Sequence, residues 1–158
     1  MKILVCSDSH GNLDNLVRAV EREAPDRIYH LGDGWRDAQR LHAQFPDIPL
    51  EQVPGNCDWS VQSPAELLLT VRGKRILLCH GHTYGVKQSL LNAGYAAEEQ
   101  ALDLFLFGHT HKPLVDRRGK TWFFNPGSIG DPLRPSYGVV TLDGDRLDAR
   151  TVLLNESR

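Results

Sequence analysis

Short apolar segments that run directly into polar, glycine-rich corners recur five times along this chain. The corners are Asp8-Ser9-His10, Gly32-Asp33, Gly55-Asn56-Cys57-Asp58, His80-Gly81-His82 and Gly108-His109-Thr110-His111. In an open sheet of parallel strands, the residues that follow each strand meet at one edge, where such sheets bind their ligands. The pattern therefore predicts an α/β chain with a polar site at its strand ends.

The first half of the chain alternates between predicted strands and helices. Strands are expected at 3–6, 27–31 and 50–53, from their short apolar composition. A helix should run from Asn12 toward Pro25, and a second should end before Pro46, since proline cannot continue a helix. This order implies parallel strands joined by right-handed crossovers.

The second half is predicted to be richer in strands. Residues 67–79 indicate a hairpin, and further strands are expected at 102–107, 122–124, 137–142 and 147–154. A helix from Val86 to about Ala101, interrupted at Gly94, should precede the first of these. We expect one domain over residues 1–158, because no repeat or linker divides the chain.

Charge and cysteine content narrow the classes of function. The 18 Lys and Arg residues against 20 Asp and Glu leave a formal charge of −2, so non-specific binding of duplex nucleic acid is not expected. Three cysteines without CxxC spacing suit a reducing compartment. The apolar start is too short for a signal segment or a membrane span. These features predict a soluble, cytoplasmic protein.

The five corners together supply carboxylates, one amide and several imidazoles. This mixture of oxygen and nitrogen ligands suits manganese, iron, zinc or nickel better than calcium. Taken singly, each histidine is more often a structural, hydrogen-bonded residue, and we keep that interpretation for His30 and His42. The joint pattern outweighs it for His10, His80, His109 and His111.

At these corners the sequence resembles the calcineurin-like metallophosphoesterases, and in particular their small YfcE-like phosphodiesterase branch. The resemblance extends from Asp8 to about Ser136 and includes Asn125-Pro126-Gly127-Ser128. It implies two packed mixed β-sheets flanked by helices, a four-layer αββα sandwich. It also implies hydrolysis of phosphodiesters by a metal-bridging hydroxide at a dinuclear site, with two divalent ions. Manganese is the expected metal, and nickel, zinc or iron are alternatives.

The resemblance assigns roles to seven residues. Asp8, His10 and His111 would bind the first ion, Asp33 would bridge both ions, and Asn56, His80 and His109 would bind the second. Among these, Asp33, Asn56 and His80 are the expected catalytic residues. A carboxylate has two oxygens with which to span two ions, which suits Asp33 to the bridging position, and the neutral oxygen of Asn56 keeps the site cationic.

Three further residues are predicted to contact substrate. His82 lies beside His80, and Arg134 follows the Asn-Pro-Gly-Ser segment, where its guanidinium fork suits phosphate oxygens. Cys57 stands where many members of the superfamily have histidine. Because a thiol with an ordinary pKa of about 8.5 is a poor substitute at neutral pH, the cysteine weakens the expectation of monoesterase activity.

Several alternatives stay open on the sequence alone. A scaffold on the same fold, similar to the retromer subunit, ranks below the enzyme because every metal-binding position here is filled. The substrate is expected to be a small phosphodiester, with a nucleotide as one option, and a homo-oligomer is possible. Asp58 is either a turn residue or a partner of the ligands, and Trp35 and Trp59 line either the pocket or a subunit contact. Asn125 and Ser128 are interpreted as loop-shaping residues, and Asp37 as a charge at a helix start.

Overall fold

The computed structural model describes residues 1–156, which form ten strands and three α-helices. The first half contains β1 (Lys2–Cys6), α1 (Leu13–Glu23), β2 (Arg27–His30), α2 (Trp35–Gln44) and β3 (Leu50–Gln52). The second half contains β4 (Glu66–Val71), β5 (Lys74–Cys79), α3 (Leu91–Glu99), β6 (Leu104–Leu106), β7 (Leu114–Arg118), β8 (Thr121–Asn125), β9 (Ser136–Asp143) and β10 (Arg146–Leu153).

The strands form two five-stranded sheets. The first has the order β10-β9-β1-β2-β3, and the second β4-β5-β6-β8-β7. The strands β1, β2 and β3 are parallel in the first sheet, as are β5, β6 and β8 in the second. Both sheets also carry antiparallel strands, so the predicted mixed character is confirmed.

Alternation along β1 shows how the layers are built. Ile3 and Val5 belong to a buried cluster shared by both sheets, whereas Leu4 and Cys6 pack with residues of α1 and α2. A third cluster joins the opposite face of the second sheet to α3. Successive strand residues point to opposite faces, so each sheet is covered on both sides. This is the expected four-layer sandwich; only the last two residues of the predicted domain lie outside the described ones.

Two sequence-based predictions were wrong in the second half. The helix proposed from Val86 to Ala101 is confined to Leu91–Glu99, because residues 86–88 form a turn before it and Ala101, with a positive φ of 51°, lies beyond its end. Gly94 lies inside that helix without interrupting it, consistent with a cost of only about 1 kcal/mol for an internal glycine. The strand β7, rich in charged residues, was not predicted; it pairs with β8.

Within residues 1–156, none of the helices combines the length and apolar character that crossing a bilayer requires.

Candidate metal centre

The predicted ligands all lie in loops at the carboxyl ends of parallel strands. Asp8 and His10 follow β1, Asp33 follows β2, Asn56 follows β3, His80 follows β5, and His109 and His111 follow β6. Since the two sheets pack face to face, loops from both reach one edge of the sandwich. The structure brings six of these side chains together: Asp8, His10, Asp33, His80, His109 and His111.

The two carboxylate oxygens of Asp8 have different partners: one faces the histidines, and the other accepts hydrogen bonds from neighbouring loop residues. Its Oδ1 lies 3.1 Å from Nε2 of His111, 3.7 Å from Nε2 of His10 and 3.8 Å from Nε2 of His80. Its Oδ2 accepts hydrogen bonds from the Ser7 hydroxyl at 2.6 Å and the His109 backbone N–H at 3.1 Å. Oδ1 is therefore the oxygen available to a cation.

Asp33 divides its two oxygens in the same way. Oδ1 accepts the Cys57 backbone N–H at 2.8 Å, while Oδ2 lies 3.3 Å from Nε2 of His80 and 3.8 Å from Nε2 of His10. The sequence-based argument for a bridge used both oxygens of this carboxylate. In this structure Oδ1 is committed to the backbone, so Oδ2 is the oxygen that Asp33 would offer to a cation.

His80 is fixed in orientation by a carbonyl group. Its Nδ1 lies 2.8 Å from the Leu31 carbonyl oxygen, which can only accept, so Nδ1 carries the proton. Nε2 is then the nitrogen left for a cation, and it lies 3.3 Å from Nδ1 of His109. A carbonyl partner on the second ring nitrogen is the usual way in which metal-binding histidines are oriented.

The carboxylates and histidines of the centre face one another and shift each other's pKa values. Burial opposes ionisation of Asp8 and Asp33, but hydrogen bonds and the charges of nearby histidines outweigh it and lower both carboxyl pKa values. Asp8 raises the pKa of His10; for His80, burial acts downward, yet Asp33 and Asp8 bring the pKa above its ordinary value. Cations must displace these protons, so metal affinity should fall as the pH is lowered.

Five of the candidate ligands adopt strained backbone conformations. The positive φ angles are 55° for Asp8, 45° for His10, 57° for Asp33, 70° for His109 and 63° for His111. Such conformations cost about 1–3 kcal/mol each for non-glycine residues and concentrate at functional sites. The loop packing also requires Gly55, where a Cβ atom would collide with Oδ1 of Asp33.

Asp58, whose role the sequence left open, binds the backbone of two ligand loops. Its Oδ2 accepts N–H groups of Asp33 and Gly55, both at 2.8 Å, and its Oδ1 accepts those of Gly34 at 3.1 Å and Trp35 at 3.0 Å. The carboxylate thus ties the loop after β2 to the loop after β3 and caps the start of α2. It is a partner of the ligands.

Asp37 likewise proves to be more than a charge at a helix start. It lies in the first turn of α2 but is buried, and its Oδ2 accepts the Ser9 hydroxyl at 2.6 Å and the Gly11 N–H at 2.8 Å. Ser9 also contacts Nε2 of His30 at 2.9 Å. These bonds hold the loop that carries Asp8 and His10. His30 is therefore structural, as expected, whereas His42 is exposed on α2.

Asn125 and Ser128 shape the loops, which confirms their interpretation. The Asn125 amide donates to the Gly108 carbonyl at 2.9 Å and to the Thr110 hydroxyl at 3.0 Å. The Ser128 hydroxyl donates to the Asp8 carbonyl at 2.8 Å. The bonds to the Gly108 and Asp8 carbonyls act on the backbone of ligand-bearing corners, and the third bond acts on the side chain of Thr110.

The remaining predicted residues lie around the centre at different depths. The exposed ring of His82 has centroid distances of 5.5 Å to His80 and 6.0 Å to His109, so it is beside the cluster. Asn56 and Cys57 are exposed, with the Asn56 amide 3.6 Å from the thiol. Within residues 1–156, the exposed Arg134 uses its backbone N–H to bond Asp131, and its guanidinium makes no hydrogen bond.

The donor groups fit divalent cations. Asp8, His10 and His111 form one triad, and Asp8, Asp33 and His80 form another, with the donor atoms of each within 4.8 Å of one another. Carboxylate oxygens with imidazole nitrogens are the donors that manganese, iron, nickel and zinc accept. The two triads share Asp8, and His109 adds a further nitrogen next to His80.

Known proteins resemble this chain in both sequence and fold. Residues 1–145 match the family model of the calcineurin-like phosphoesterase superfamily domain. The probable metallophosphoesterase YsnB of Bacillus subtilis is 39% identical, over 95% of this chain and 89% of its own length. The phosphodiesterase YfcE of Escherichia coli is 29% identical, over 99% and 94%. Its solved structure, described as that of a phosphoesterase, has a TM-score of 0.71 and covers 98% of this chain and 94% of its own.

A solved structure of Vps29 from Entamoeba histolytica, in complex with zinc, shares the fold. Its TM-score is 0.72, covering 98% of this chain and all of that one, and its sequence is 19% identical. At this identity the likeness concerns the fold alone. The family match and the relatives agree with the resemblance seen in the polar corners. The chain belongs to the calcineurin-like phosphoesterase superfamily.

Proposed function

We propose that this phosphoesterase hydrolyses phosphodiesters at a dinuclear metal site held by Asp8, His10, Asp33, Asn56, His80, His109 and His111. The observation that carries the proposal is the pair of donor triads that share Asp8 at the joined strand ends. Two bound cations would lower the pKa of a water molecule, so that hydroxide is available at neutral pH, and would attract the phosphoryl oxygens of the substrate. The protein's own part is to hold the donors in place.

The side chains around the centre are suited to binding an anionic substrate. Burial and the charge of His80 lower the pKa of His82, so at neutral pH its imidazole is uncharged and can donate one N–H. From its position beside His80 and His109, His82 would donate to a phosphoryl oxygen. Arg134 is a second candidate donor, from the exposed loop before β9.

Metal removal tests the proposed function directly. The purified protein, loaded with Mn²⁺, should hydrolyse bis(4-nitrophenyl) phosphate, and this turnover should fall to background after treatment with a chelator and return on adding the ion back. Parallel reactions with Ni²⁺, Zn²⁺ and Fe²⁺ would identify the most effective metal. A protein that holds two ions per chain, yet cleaves neither diesters nor monoesters, would refute the proposal.

Cys57 should favour diesters that have good leaving groups. Although the residue is exposed, partial desolvation of the thiol, followed by the charge of Asp33, raises its pKa, so at neutral pH it stays protonated and is a weak acid for a leaving alcohol. Replacing it by histidine supplies an acid with an ordinary pKa of about 6.5.

We therefore expect Cys57→His to increase kcat/KM for alkyl phosphate monoesters by roughly tenfold or more, since general acids contribute about 10²–10⁴-fold. The gain should decline above the imidazole pKa, as the ring loses its acidic proton. Cys57→Ser should show no such gain. Equal monoesterase rates in all three proteins would argue against a leaving-group role at this position.

A scaffold function is the second candidate, because the fold is shared with Vps29. Metal uptake alone does not distinguish the two, since the Vps29 structure also contains zinc. Turnover does distinguish them. Metal content and diester hydrolysis should therefore be measured on the same preparation.

A further inference from the structure

A groove of about 680 Å³ adjoins the candidate metal centre. His10 and Asp33 belong to its lining, and so do residues that have no part in holding metal: Trp35, Arg36 and Arg40 of α2, and Trp59 of the loop after β3. An occupant of this groove would therefore contact the proposed ligands directly. The groove is large enough for a group of nucleotide size, since ligand pockets commonly measure about 300–1,000 Å³.

Two exposed arginines on one wall of the groove have no partner in the part of the chain that the structure describes. Arg36 and Arg40 lie one helical turn apart on α2, and within residues 1–156 neither guanidinium forms a hydrogen bond or an ion pair. Three carboxylates also line the groove, but none bonds the arginines: Asp37 and Asp58 accept hydroxyl and backbone N–H groups, and Asp33 contacts the Cys57 N–H and the histidines of the centre. Paired guanidiniums of this kind suit phosphate oxygens.

Trp59 gives the same groove an exposed aromatic face. Its side chain is 84% exposed, although tryptophan is usually among the more buried residue types. A planar base can stack on such a ring, and each stacked base contributes about 1–3 kcal/mol to binding. Trp35 is half-buried beside it, with its backbone N–H held by Asp58.

We propose that this groove binds a nucleotide portion of the diester substrate, with the base on Trp59 and a second phosphate on Arg36 and Arg40. The proposal rests on the phosphodiesterase function above and specifies its substrate class as nucleotide diesters with an additional terminal phosphate. A simple alkyl or aryl diester would leave both arginines without a partner. The base provides the stacking surface, and the terminal phosphate provides the charge.

The test compares two 3′→5′-linked dinucleotides as substrates of the Mn²⁺-loaded protein: pApA, which carries a 5′-terminal phosphate, and ApA, which lacks it. In Arg36→Ala/Arg40→Ala, the ratio of kcat/KM for pApA to that for ApA should fall at least tenfold. The control Arg72→Ala/Arg146→Ala removes two exposed guanidiniums near the opposite strand ends and should keep the wild-type ratio.

Trp59→Ala should lower kcat/KM for both dinucleotides by roughly five- to fiftyfold, as stacking energies imply, while keeping the preference for pApA. Tyr95→Ala removes another exposed ring, 63% exposed on α3, and should change neither rate by more than about twofold. Unchanged kinetics in Trp59→Ala, or an altered oligomeric mass without altered kinetics, would overturn the proposal.

Binding separates this proposal from the function on which it rests. Calorimetry would measure the affinity of a methylphosphonate-linked analogue of pApA, which is not cleaved. If no diester is hydrolysed but the analogue binds the wild type and binds Arg36→Ala/Arg40→Ala at least tenfold more weakly, the proposed function fails and the groove proposal stands. Equal affinities, together with equal pApA to ApA ratios, would refute the groove proposal while leaving the phosphodiesterase intact.

Discussion

Asp33→Ala should reduce kcat/KM for bis(4-nitrophenyl) phosphate about a thousandfold. Its Oδ2 lies 3.3 Å from Nε2 of His80 and 3.8 Å from Nε2 of His10, and so near both proposed cation positions. Metal ions contribute several kcal/mol to catalysis by charge stabilisation, and about 4 kcal/mol corresponds to a thousandfold change in rate. Mass spectrometry should find fewer than two ions per chain.

Asp33→Asn distinguishes the effect of losing the cations from the effect of losing the hydrogen bond that holds the loop after β3. Its amide oxygen can still accept the Cys57 N–H, which Oδ1 accepts at 2.8 Å in the native protein, but this turns an NH₂ group toward the cations. We expect this variant to fold well and to be as inactive as Asp33→Ala. Asp47→Asn, on the exposed loop before β3, should match the wild type. An Asn variant with two ions and over a tenth of native turnover would contradict the bridging role.

The ligand corners were predictable because they combine chemistry with position. Each couples a metal-binding residue type to the end of an apolar strand, and parallel topology then brings the corners to one edge. Elements that depend on tertiary packing could not be predicted in the same way. The strand β7 contains the charged residues Asp116, Arg117 and Arg118, so its extended conformation comes from pairing with β8. The stretch from Val86 to Ala101 was predicted to be one helix, yet its first residues form turns and the helix begins at Leu91.

The supporting residues of the site were harder to predict. An aspartate near a glycine is usually a turn residue, and nothing local to Asp58 reveals that its partners are the N–H groups of Asp33, Gly34 and Trp35 on another loop. Asp37 has the same difficulty, since its position in a first helical turn already suffices to explain a negative charge. Only tertiary structure shows that both carboxylates hold ligand loops.

Asp58→Ala should therefore damage both the stability and the metal site. It would leave four N–H groups of the two loops without their acceptor. Hydrogen bonds to charged groups contribute about 1.5–3 kcal/mol each and are not additive, so we expect a loss of about 3–5 kcal/mol in the free energy of unfolding. For a chain of this size that lowers Tm by roughly 10 °C. The affinity for Mn²⁺ should fall about 10- to 100-fold, as for other partners of metal ligands.

The pattern of acceptors sets the controls for this prediction. Asp58→Asn keeps one carbonyl oxygen, which can still serve Gly34 and Trp35 or Asp33 and Gly55 but not both pairs, so its Tm should lie between those of the wild type and Asp58→Ala. Asp26 accepts a single N–H, that of Lys2, at an exposed position, and Asp26→Ala should change Tm by only about 2 °C. If Asp58→Ala lowered Tm but left Mn²⁺ affinity native, the carboxylate would cap α2 without positioning the ligands. Loss of metal affinity in Asp58→Ala, at a temperature where the variant is still folded, is the result that a positioning role requires.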